Sequence, residues 1–350
     1  MVERMTDAGI TDTSMTESPR RAILLLAHGT PETLDEIPEY LRNVTSGRPL
    51  PQHVIDEIRH RYSLIGHSPL TDITLAQAAA LQQSIGLPVY VGMRNWKPYV
   101  VDTVRRMRED GIEQAVAICL APQNSRTSVG LYKRAAYAEA GTALELDFID
   151  AWADHPLLID AFAAELRPLR QRLLAETGAP VPVLFTAHSV PCRTVWSATS
   201  IPLGDSPTAP DPRPATPQQP DPYPQDAKRT AAMVAAALTN DGLTPADWFF
   251  AFQSQGASGG PWIGPAVEDS LRALAAAGHK QVLLQPIGFL CDHVEILYDI
   301  DIAFRDLGNE IGLTVHRTPS LNTSPLLISA LADLSQQGLA RLSQSQLQQR

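Results

Sequence analysis

Short apolar runs alternate with amphipathic segments along most of the chain. Six runs have the length and composition of buried strands, and they lie at residues 22–27, 89–92, 115–121, 181–187, 249–253 and 282–286. Segments with apolar residues at helical spacing follow most of these runs, at residues 75–85, 100–109, 157–174, 227–238 and 267–277. This alternation is typical of parallel sheets covered by helices, and it predicts an α/β fold.

Two of the apolar runs end in the same short pattern. One leads into Ala-His-Gly-Thr-Pro at residues 27–31 and the other into Ala-His-Ser-Val-Pro at residues 187–191, so that His28 and His188 are 160 residues apart. The next two strand ends fall 64 and 94 residues after His28, and 66 and 98 residues after His188. The shared order and spacing predict two copies of one α/β unit, and chance similarity among short strands is the alternative.

Length and repeat together predict two domains, because 350 residues exceed the usual size of one core. We place the domains at residues 20–175 and 176–334. Residues 202–224 are rich in proline, which cannot supply sheet or helix hydrogen bonds, so we expect a long surface loop there. Polar composition predicts a disordered tail at residues 1–19 and a polar tail at residues 335–350.

Composition and charge exclude several classes of protein. Hydrophobic residues make up 44% of the chain and charged residues 19%, as in folded globular proteins, and the net charge of −10 argues against a general nucleic-acid binder. No apolar stretch is long enough for a transmembrane segment, and the first residues lack the apolar core of a signal peptide. Cys119, Cys192 and Cys291 lie far apart, which suits a reducing cytoplasm. We therefore expect a cytoplasmic protein with no nucleic-acid partner.

Several polar residues follow predicted strands directly. In open parallel sheets, ligands bind beyond the carboxyl ends of the strands. His28, His188, Ser254 and the turn at Pro286 all lie at such ends, so they would line one cleft if the two units face each other. A histidine there can act as a base or bind a divalent metal near neutral pH. His188 could equally hydrogen-bond a neighbouring loop.

The segment after the sixth apolar run is rich in ionisable residues. Glu295 and Asp299 are four residues apart and share one face of a predicted helix, where Glu295 could accept protons or bind a metal. The alternative is structural, because Asp292 and Glu295 fit an N-cap residue and its capping-box partner. His293 would point elsewhere on the first turn.

Other familiar signatures are missing from the sequence. The glycines at residues 256–260 have neither the spacing of a dinucleotide-binding motif nor the lysine of a P-loop. No GxSxG motif occurs, which argues against a serine hydrolase of that type. The scattered cysteines exclude a structural zinc site.

Eight motifs, in the same order along the chain, resemble the ferrochelatase family. They are AHGTP at 27–31, IGHSPL at 65–70, YVGMRNWKP at 90–98, AHSVP at 187–191, DPYP at 221–224, FQS at 252–254, PWIGP at 261–265 and the block at 286–301. The resemblance implies two similar Rossmann-like, chelatase-type domains, each a parallel sheet flanked by helices, with the porphyrin in the cleft between them. It also implies insertion of Fe²⁺ into a porphyrin with release of two protons, in haem biosynthesis.

The resemblance also implies roles for individual residues. His188 matches the family's catalytic histidine and Glu295 its catalytic carboxylate, and both would bind the metal. His28 stands where a similar bacterial branch has an iron-ligating tyrosine, and imidazole is also a haem ligand, so we expect His28 to be the axial ligand of the product iron. Asp299 would continue a path by which metal arrives or protons leave, and a solvated helix carboxylate is the alternative.

Further positions match the family's porphyrin-binding residues. They are His28, Thr30, Arg61, Tyr62, Ser68, Tyr132 and Trp262. Arg61 can pair with a propionate through two parallel hydrogen bonds, and Trp262 would form a wall of the pocket unless it is a core residue. Thr45 stands where the branch commonly has arginine. One propionate contact is therefore missing or is supplied by a nearby arginine, of which the candidates are Arg42, Arg48 and Arg126.

Two departures from the family members that use protoporphyrin favour coproporphyrin III as the substrate. Residues 32–62 are short and polar, and no cysteine follows Cys291. Both features resemble the soluble branch that metallates coproporphyrin III, so we expect no iron–sulfur cluster and no tightly bound cofactor beyond the substrate Fe²⁺. The product would be haem or coprohaem, and the previous or next enzyme of the haem pathway would be a partner. The alternatives are a protoporphyrin IX ferrochelatase, a sirohydrochlorin cobalt or nickel chelatase, and a haem-binding carrier without activity.

Overall fold

A computed structural model describes residues 19–195, 221–256 and 261–349. The strands are β1 (Arg21–Ala27), β2 (Val89–Met93), β3 (Gln114–Cys119), β4 (Glu145–Ile149), β5 (Val183–His188), β6 (Trp248–Gln253), β7 (Gln281–Pro286) and β8 (Thr314–Arg317). The helices are α1 (Ile37–Val44), α2 (Gln52–Ile65), α3 (Leu70–Ile85), α4 (Val100–Glu109), α5 (Val129–Ala140), α6 (Pro156–Thr177), α7 (Cys192–Val195), α8 (Tyr223–Ala237), α9 (Val267–Ala276), α10 (Val294–Leu297), α11 (Arg305–Ile311) and α12 (Pro325–Gln349). The tail predicted at residues 1–19 and the loop predicted at 202–224 lie outside the described residues, apart from residue 19 and residues 221–224.

The two sheets have the same topology. Their strand orders are β2-β1-β3-β4 and β6-β5-β7-β8, and all neighbouring strands are parallel. The same hydrogen bond occurs near the end of the second strand of each unit. The Met93 amide donates to the carbonyl oxygen of Pro98, and the Phe252 amide donates to that of Pro265. Both prolines follow cis peptide bonds. The predicted fold class, two similar α/β units with parallel sheets, is confirmed.

Successive residues of the central strands alternate between two apolar cores. In β1, Ile23 and Leu25 face a cluster that also contains Phe185 of β5, whereas Leu24 and Leu26 face the cluster beneath α4 and α5. Strands of parallel sheets that are covered on both faces have nearly continuous apolar sequences, which is why the hydrophobic pattern predicts them. The cluster shared by β1 and β5 joins the two sheets.

The hydrophobic pattern does not predict β4 or β8. These strands read ELDFI and TVHR, and each is the last strand in its sheet. Edge strands commonly carry charged and polar residues, which protect them from pairing with other chains. A search for apolar runs therefore misses these two, although it finds the edge strands β2 and β6, which are more apolar.

The polar tail predicted at residues 335–350 is wrong for residues 335–349. Helix α12 continues to Gln349 and packs on α3, α6, β3 and β4. Leu342 is buried, and Arg341 donates hydrogen bonds of 3.0 and 2.7 Å to Asp147. One apolar stripe is enough to dock a helix whose other faces are Gln and Ser. No helix within the described ranges, α12 included, is long and apolar enough to cross a membrane.

Two other predicted boundaries fall within helices of the structure. The loop predicted to end at residue 224 ends earlier, because α8 begins at Tyr223 and Pro224 lies in its first turn, where proline is tolerated. The predicted domain boundary between residues 175 and 176 falls within the last turn of α6. The division into 20–175 and 176–334 stays a prediction.

Docking of α12 can be tested with two leucines of the same helix. Leu342 is 3% exposed and Leu347 is 75% exposed. We expect Leu342→Ala to lower the free energy of unfolding by about 2–4 kcal/mol, because it leaves a cavity against the first sheet. Leu347→Ala should change it by no more than about 0.5 kcal/mol. Urea unfolding followed by circular dichroism measures both, and equal effects would contradict the docked helix.

Candidate active site

His188 is the last residue of β5 and faces Glu295. Its Nε2 atom lies 3.9 Å from Glu295 Oε1, and its side chain is 39% exposed. Its Nδ1 atom lies 3.4 Å from the carbonyl oxygen of Gln253, and its own carbonyl oxygen accepts a 2.8 Å hydrogen bond from the Tyr223 hydroxyl. A carbonyl oxygen requires a donor, so Nδ1 carries a proton, and Nε2 faces Glu295.

The Glu295 carboxylate lies between two imidazoles. Oε1 is 3.9 Å from His188 Nε2, and Oε2 is 3.8 Å from His293 Nε2. Burial alone would raise the pKa of Glu295, but His188 and His293 together outweigh burial and lower the pKa to about 2. The carboxylate is therefore ionised at neutral pH and attracts cations strongly in this partly desolvated place.

His293 is a site residue that sequence reasoning placed elsewhere. Residues two apart point in different directions on a regular helix, but α10 begins only at Val294 and His293 is extended, with φ −164°. Its Nδ1 atom lies 3.0 Å from the carbonyl oxygen of Cys291, while Nε2 faces Glu295. Burial lowers the pKa of His293, but Glu295 and the Cys291 carbonyl raise it more, so that the pKa lies above its ordinary value.

The capping box between Asp292 and Glu295 does not form. The N-cap residue of α10 is His293, and no side chain caps the helix. The Asp292 carboxylate instead accepts hydrogen bonds of 2.7 Å from the Ser320 hydroxyl and 3.0 Å from the Asn322 carboxamide. Because these partners hold Asp292, the structural alternative for Glu295 is wrong, and Glu295 is available to the cleft.

Close packing at Gly288 brings the connection after β7 against His188. A Cβ atom at this position would lie 2.9 Å from Cα and Cβ of Ala187 and 3.4 Å from the amide nitrogen of His188. Only glycine allows such an approach without a shift of one backbone. The glycine that follows β7 therefore sets the spacing between His188 and the chain that leads to Glu295.

Gln253, the buried last residue of β6, contacts both candidates. Its Nε2 atom donates a 2.9 Å hydrogen bond to the carbonyl oxygen of Glu295, and its Oε1 atom accepts one of 2.7 Å from the Thr186 hydroxyl. Its own carbonyl oxygen faces His188 Nδ1. Gln253 thus connects the ends of β5 and β6 to α10, a link that the motif FQS does not reveal by itself.

His28 follows β1 in a tightly packed turn. Gly29 has φ 86°, and a Cβ atom on it would lie 2.8 Å from the amide nitrogen of Trp96. The Asn95 carboxamide nitrogen lies within hydrogen-bond distance of both ring nitrogens, 3.0 Å from His28 Nε2 and 3.3 Å from Nδ1. Burial, with Arg94 adding to its effect, lowers the pKa of His28 to about 3. The ring is therefore neutral near pH 7.

The two halves of the chain meet at one cleft. Helices α2 and α10 are in contact, and Val294 packs against a cluster that includes Tyr62 and Trp96. The charge of Glu295 raises the pKa of His28, against the larger effects of burial and Arg94. In the part of the chain that the structure describes, no set of three or more His, Cys, Asp or Glu side chains is arranged to hold a metal ion. Ligation of iron by His188, Glu295 and His28 therefore stays a prediction.

Asp299 is buried beside Ser254 and Arg61. The Ser254 hydroxyl donates a hydrogen bond to its carboxylate, and Arg61 Nη1 lies 3.7 Å from Oδ1. Burial, followed by the charge of Glu295, raises the pKa of Asp299 to about 6, although Ser254 and Arg61 act in the opposite direction. The alternative of a solvated helix carboxylate is wrong, and Asp299 can exchange a proton near neutral pH.

The end of α2 places three of the predicted porphyrin-binding residues together. The Arg61 guanidinium lies 5.0 Å from the centre of the Tyr298 ring and also pairs with Glu57 at 2.9 Å. Its side chain is partly exposed and can still reach a carboxylate of a ligand. The hydroxyls of Tyr62 and Thr30 are both buried and lie 3.0 Å apart. Tyr62 is linked to His28 through the ring of Tyr40. Contact of Thr30, Arg61 and Tyr62 with a porphyrin stays a prediction.

The remaining predicted porphyrin-binding residues differ in burial. Ser68 is buried, and its hydroxyl has no hydrogen-bond partner within the described residues. Tyr132 is buried in the core of the first sheet, where the Arg94 guanidinium lies 5.3 Å from its ring centre. Trp262 is half-buried and packs on Gly256. Contact of Ser68, Tyr132 and Trp262 with a porphyrin stays a prediction.

Thr45 ends α1 and uses its hydroxyl locally. The hydroxyl donates to backbone carbonyl oxygens, with the shortest contact 2.6 Å to that of Arg48. Arg42 and Arg48 are both exposed, and Arg126 pairs with buried Asp221 at 3.7 Å. The structure does not single out one of these arginines as the replacement for the missing propionate contact.

Comparisons with known proteins agree with the resemblance. A family model described as Ferrochelatase matches residues 20–339. The chain is 60% identical over 331 residues to a ferrochelatase of Acidobacterium capsulatum, which covers 93% of this chain and 97% of the relative. It is 32% identical over 331 residues to a coproporphyrin III ferrochelatase of Halalkalibacterium halodurans, which covers 91% and 97% of the two chains.

Solved structures share the fold at low identity. The sirohydrochlorin chelatase SirB of Bacillus subtilis subspecies spizizenii, in complex with cobalt, superposes with a TM-score of 0.51 at 10% identity and covers 91% of this chain and 95% of its own. At this identity the likeness shows the chelatase-type fold alone. The family match spans both sheets and the whole cleft, and with the 60% identical relative it decides the family. The chain belongs to the ferrochelatase family, the enzymes that insert iron into porphyrins.

Proposed function

We propose that this ferrochelatase metallates coproporphyrin III, with His188 and Glu295 as the catalytic pair. The observation that carries the proposal is the ionised Glu295 carboxylate, 3.9 Å from the Nε2 atom of the partly exposed His188. Metallation must remove two pyrrole protons and strip water from Fe²⁺. The cleft supplies one group suited to each task and a third on the other side.

Charge separates the roles of the pair. A carboxylate with a pKa of about 2 is a weak base near neutral pH, but it binds and partly dehydrates a divalent cation well. Glu295 therefore holds Fe²⁺. His188, whose Nε2 atom points to the same place, accepts a pyrrole proton, because a positioned imidazole is an effective base at this pH.

Asp299 serves as the path between this pair and solvent. Its pKa of about 6 lets it gain and lose a proton near neutral pH, and it is hydrogen-bonded to Ser254 at the end of β6. Arg61 lies beside it at 3.7 Å and balances part of its charge. Asp299 thus carries protons away from His188 or passes iron towards Glu295.

His28 ligates the iron of the product from the opposite side of the ring. Its pKa of about 3 keeps the imidazole neutral, as metal ligation requires, and Asn95 lies within hydrogen-bond distance of the ring nitrogens. A nitrogen ligand of this kind would bind the product iron until release.

The preference for coproporphyrin III rests on carboxylates. Four propionates need cationic or donor groups, and Arg61, Tyr62 and Thr30 supply them on one side of the cleft. The net charge of −10 repels such a substrate, so binding depends on these local groups. The 32% identical relative from Halalkalibacterium halodurans is named for this porphyrin, which supports the assignment.

The cysteines support a proposal for the cellular compartment, and the proposed reaction supports one for the partners. The three cysteines are unpaired, which supports the cytoplasm as the compartment. No iron–sulfur cluster or other resident cofactor takes part in the proposed reaction. The previous or next enzyme of the haem pathway is the proposed partner for substrate or product transfer.

Substrate preference is measured by visible absorbance under anaerobic conditions with Fe²⁺ and either porphyrin. We expect kcat/KM to be at least about tenfold higher for coproporphyrin III than for protoporphyrin IX, because sites built to bind polar groups reject ligands that lack them. A preference for protoporphyrin IX would overturn the substrate assignment. Binding without metallation would indicate a haem carrier, and turnover of sirohydrochlorin with cobalt or nickel would indicate the other chelatase class.

The role of His188 is tested by His188→Ala. We expect metallation to fall at least about a hundredfold, because a positioned general base contributes that much or more. Porphyrin binding, measured by fluorescence quenching, should persist. His279→Ala is the matched control. His279 lies before the amino end of β7, whereas His188 lies at the carboxyl end of β5. Unchanged turnover in His188→Ala would contradict the assignment.

Ligation by His28 is tested by the visible spectrum of bound product. We expect His28→Ala to shift the absorbance bands of the iron porphyrin complex, because an axial nitrogen ligand is lost. The spectrum of bound metal-free porphyrin should not change, since it has no iron to ligate. An identical product spectrum in wild type and His28→Ala would show that His28 does not ligate iron.

A further inference from the structure

The segment at residues 292–301, called here the Glu295 segment, has little local support. It contains α10, which has four residues and no side-chain cap. A π-helical stretch at Asp299–Phe304 follows directly, and such stretches are rare and frequent at functional sites. Short uncapped helices do not hold one position by themselves, so contacts from elsewhere must fix the placement of Glu295.

One guanidinium bonds to carboxylates at both ends of the Glu295 segment. Arg317, the last residue of β8, donates from Nε to Asp301 Oδ1 at 2.9 Å and from Nη2 to Asp301 Oδ2 at 2.8 Å. Its Nη1 atom donates to Asp292 Oδ1 at 3.3 Å and to the carbonyl oxygen of Thr318 at 3.0 Å. Asp292 begins the segment and Asp301 ends it.

Arginine is suited to this position by its shape and its burial. The planar fork of Arg317 bonds to one carboxylate with two parallel hydrogen bonds while its third nitrogen reaches another acid. Its side chain is 13% exposed, so the ion pairs are little screened by salt. Arg317 is also fixed in register opposite Leu284 of β7, the strand that leads into the Glu295 segment. The support therefore comes from the strand beside the one that leads into the Glu295 segment.

We propose that Arg317 is a positioning residue for metallation, which fixes Glu295 relative to His188 by bonding to Asp292 and Asp301. It acts through the backbone of the Glu295 segment and not by contact with the reacting atoms. The inference rests on the proposed role of Glu295. Resemblance to the family did not point to Arg317, since it lies in a polar edge strand outside the eight motifs.

Arg305 offers a matched control for the charge. Its Nη2 atom lies 3.2 Å from Asp301 Oδ1, so it contacts the same carboxylate as Arg317. Its side chain is 48% exposed and lies four residues after Asp301 on the same helical run. Among the described contacts, none joins Arg305 to Asp292, so Arg305 does not bridge the segment. Exposed ion pairs of this kind contribute little.

The experiment compares Arg317→Met, Arg317→Lys and Arg305→Met in the full chain, with Fe²⁺ and the porphyrin that the wild type metallates. We expect Arg317→Met to lower kcat by about tenfold to a hundredfold, because a misplacement of about 1 Å can cost that much. Arg317→Lys should fall between, since it keeps the charge and loses the fork. Arg305→Met should stay within about twofold of wild type. Porphyrin affinity should change by less than about threefold in all three, because only the reacting groups are displaced.

Hydrogen exchange gives a readout that a general loss of stability would not produce. Arg317→Met should raise exchange in peptides that cover residues 292–301, whereas peptides that cover α4 should keep wild-type rates. If Arg317→Met does not fold, Asp301→Asn keeps the shape of the acid and removes the charge that Arg317 binds. The same losses in kcat and protection are expected from it.

Two outcomes would overturn the proposal. One is a folded Arg317→Met with kcat within about twofold of wild type. The other is an equal loss in Arg305→Met, which would show that charge at Asp301 matters and bridging does not. Glu295→Gln separates this inference from the proposed function. Normal turnover in Glu295→Gln removes both, whereas loss in Glu295→Gln with normal Arg317→Met removes the positioning role alone.

Discussion

The apolar cluster shared by β1 and β5 determines where the chemistry of this protein can lie. Each of these strands turns alternate residues into that cluster, as Ile23 and Leu25 do on one side and Phe185 on the other. Parallel strands that pack in this way end at one edge of each sheet, and the residues beyond the ends meet in the space between. His28 and His188 face a common cleft because the strands that carry them share a core. Local contacts then adjust the separation of the reacting groups, as at Gly288.

Charge gives the cleft two different carboxylates four residues apart. The pKa of Glu295 is lowered to about 2, while the pKa of Asp299 is raised to about 6. Both are affected by burial, but Glu295 has two imidazoles beside it, and Asp299 has the negative charge of Glu295. Environments that separate the pKa values of neighbouring acids assign them different tasks. One acid remains a binding site for a cation, and the other changes its protonation near neutral pH.

The sequence predicts the parts of the fold that depend on local pattern. Inner strands buried on both faces are visible as apolar runs, and the repeated Ala-His pattern predicts the matching ends of β1 and β5. Strands β4 and β8 are not predicted, because these two edge strands carry charged and polar residues. His188 and Glu295 are found by resemblance. His293 and Arg317 are not, since their roles depend on where helix α10 begins and on which distant acid a guanidinium meets, and neither is encoded in local spacing.

Long-range contacts also explain why the alternative interpretation of Asp292 and Glu295 as a capping box is wrong. A capping box is the favoured local use of Asp292 and Glu295, but partners more than twenty residues away compete for Asp292 and win. Long-range hydrogen bonds of this kind leave no periodic signal in the chain. Resemblance to a family can identify such residues, because it matches several distant motifs at once.

Helix α12 has a consequence for the order in which the protein is assembled. Its apolar residues, among them Leu331 and Leu342, belong to the shared cluster together with Val116 of β3 in the first sheet. During synthesis α12 emerges after both sheets, because a ribosome delivers the chain from its amino end. The part of the first sheet that α12 contacts, at β3 and β4, therefore stays open until the second half of the chain has emerged. The first half of the chain has one core of its own, beneath α4 and α5, but its other core is completed only by α12 and the second half.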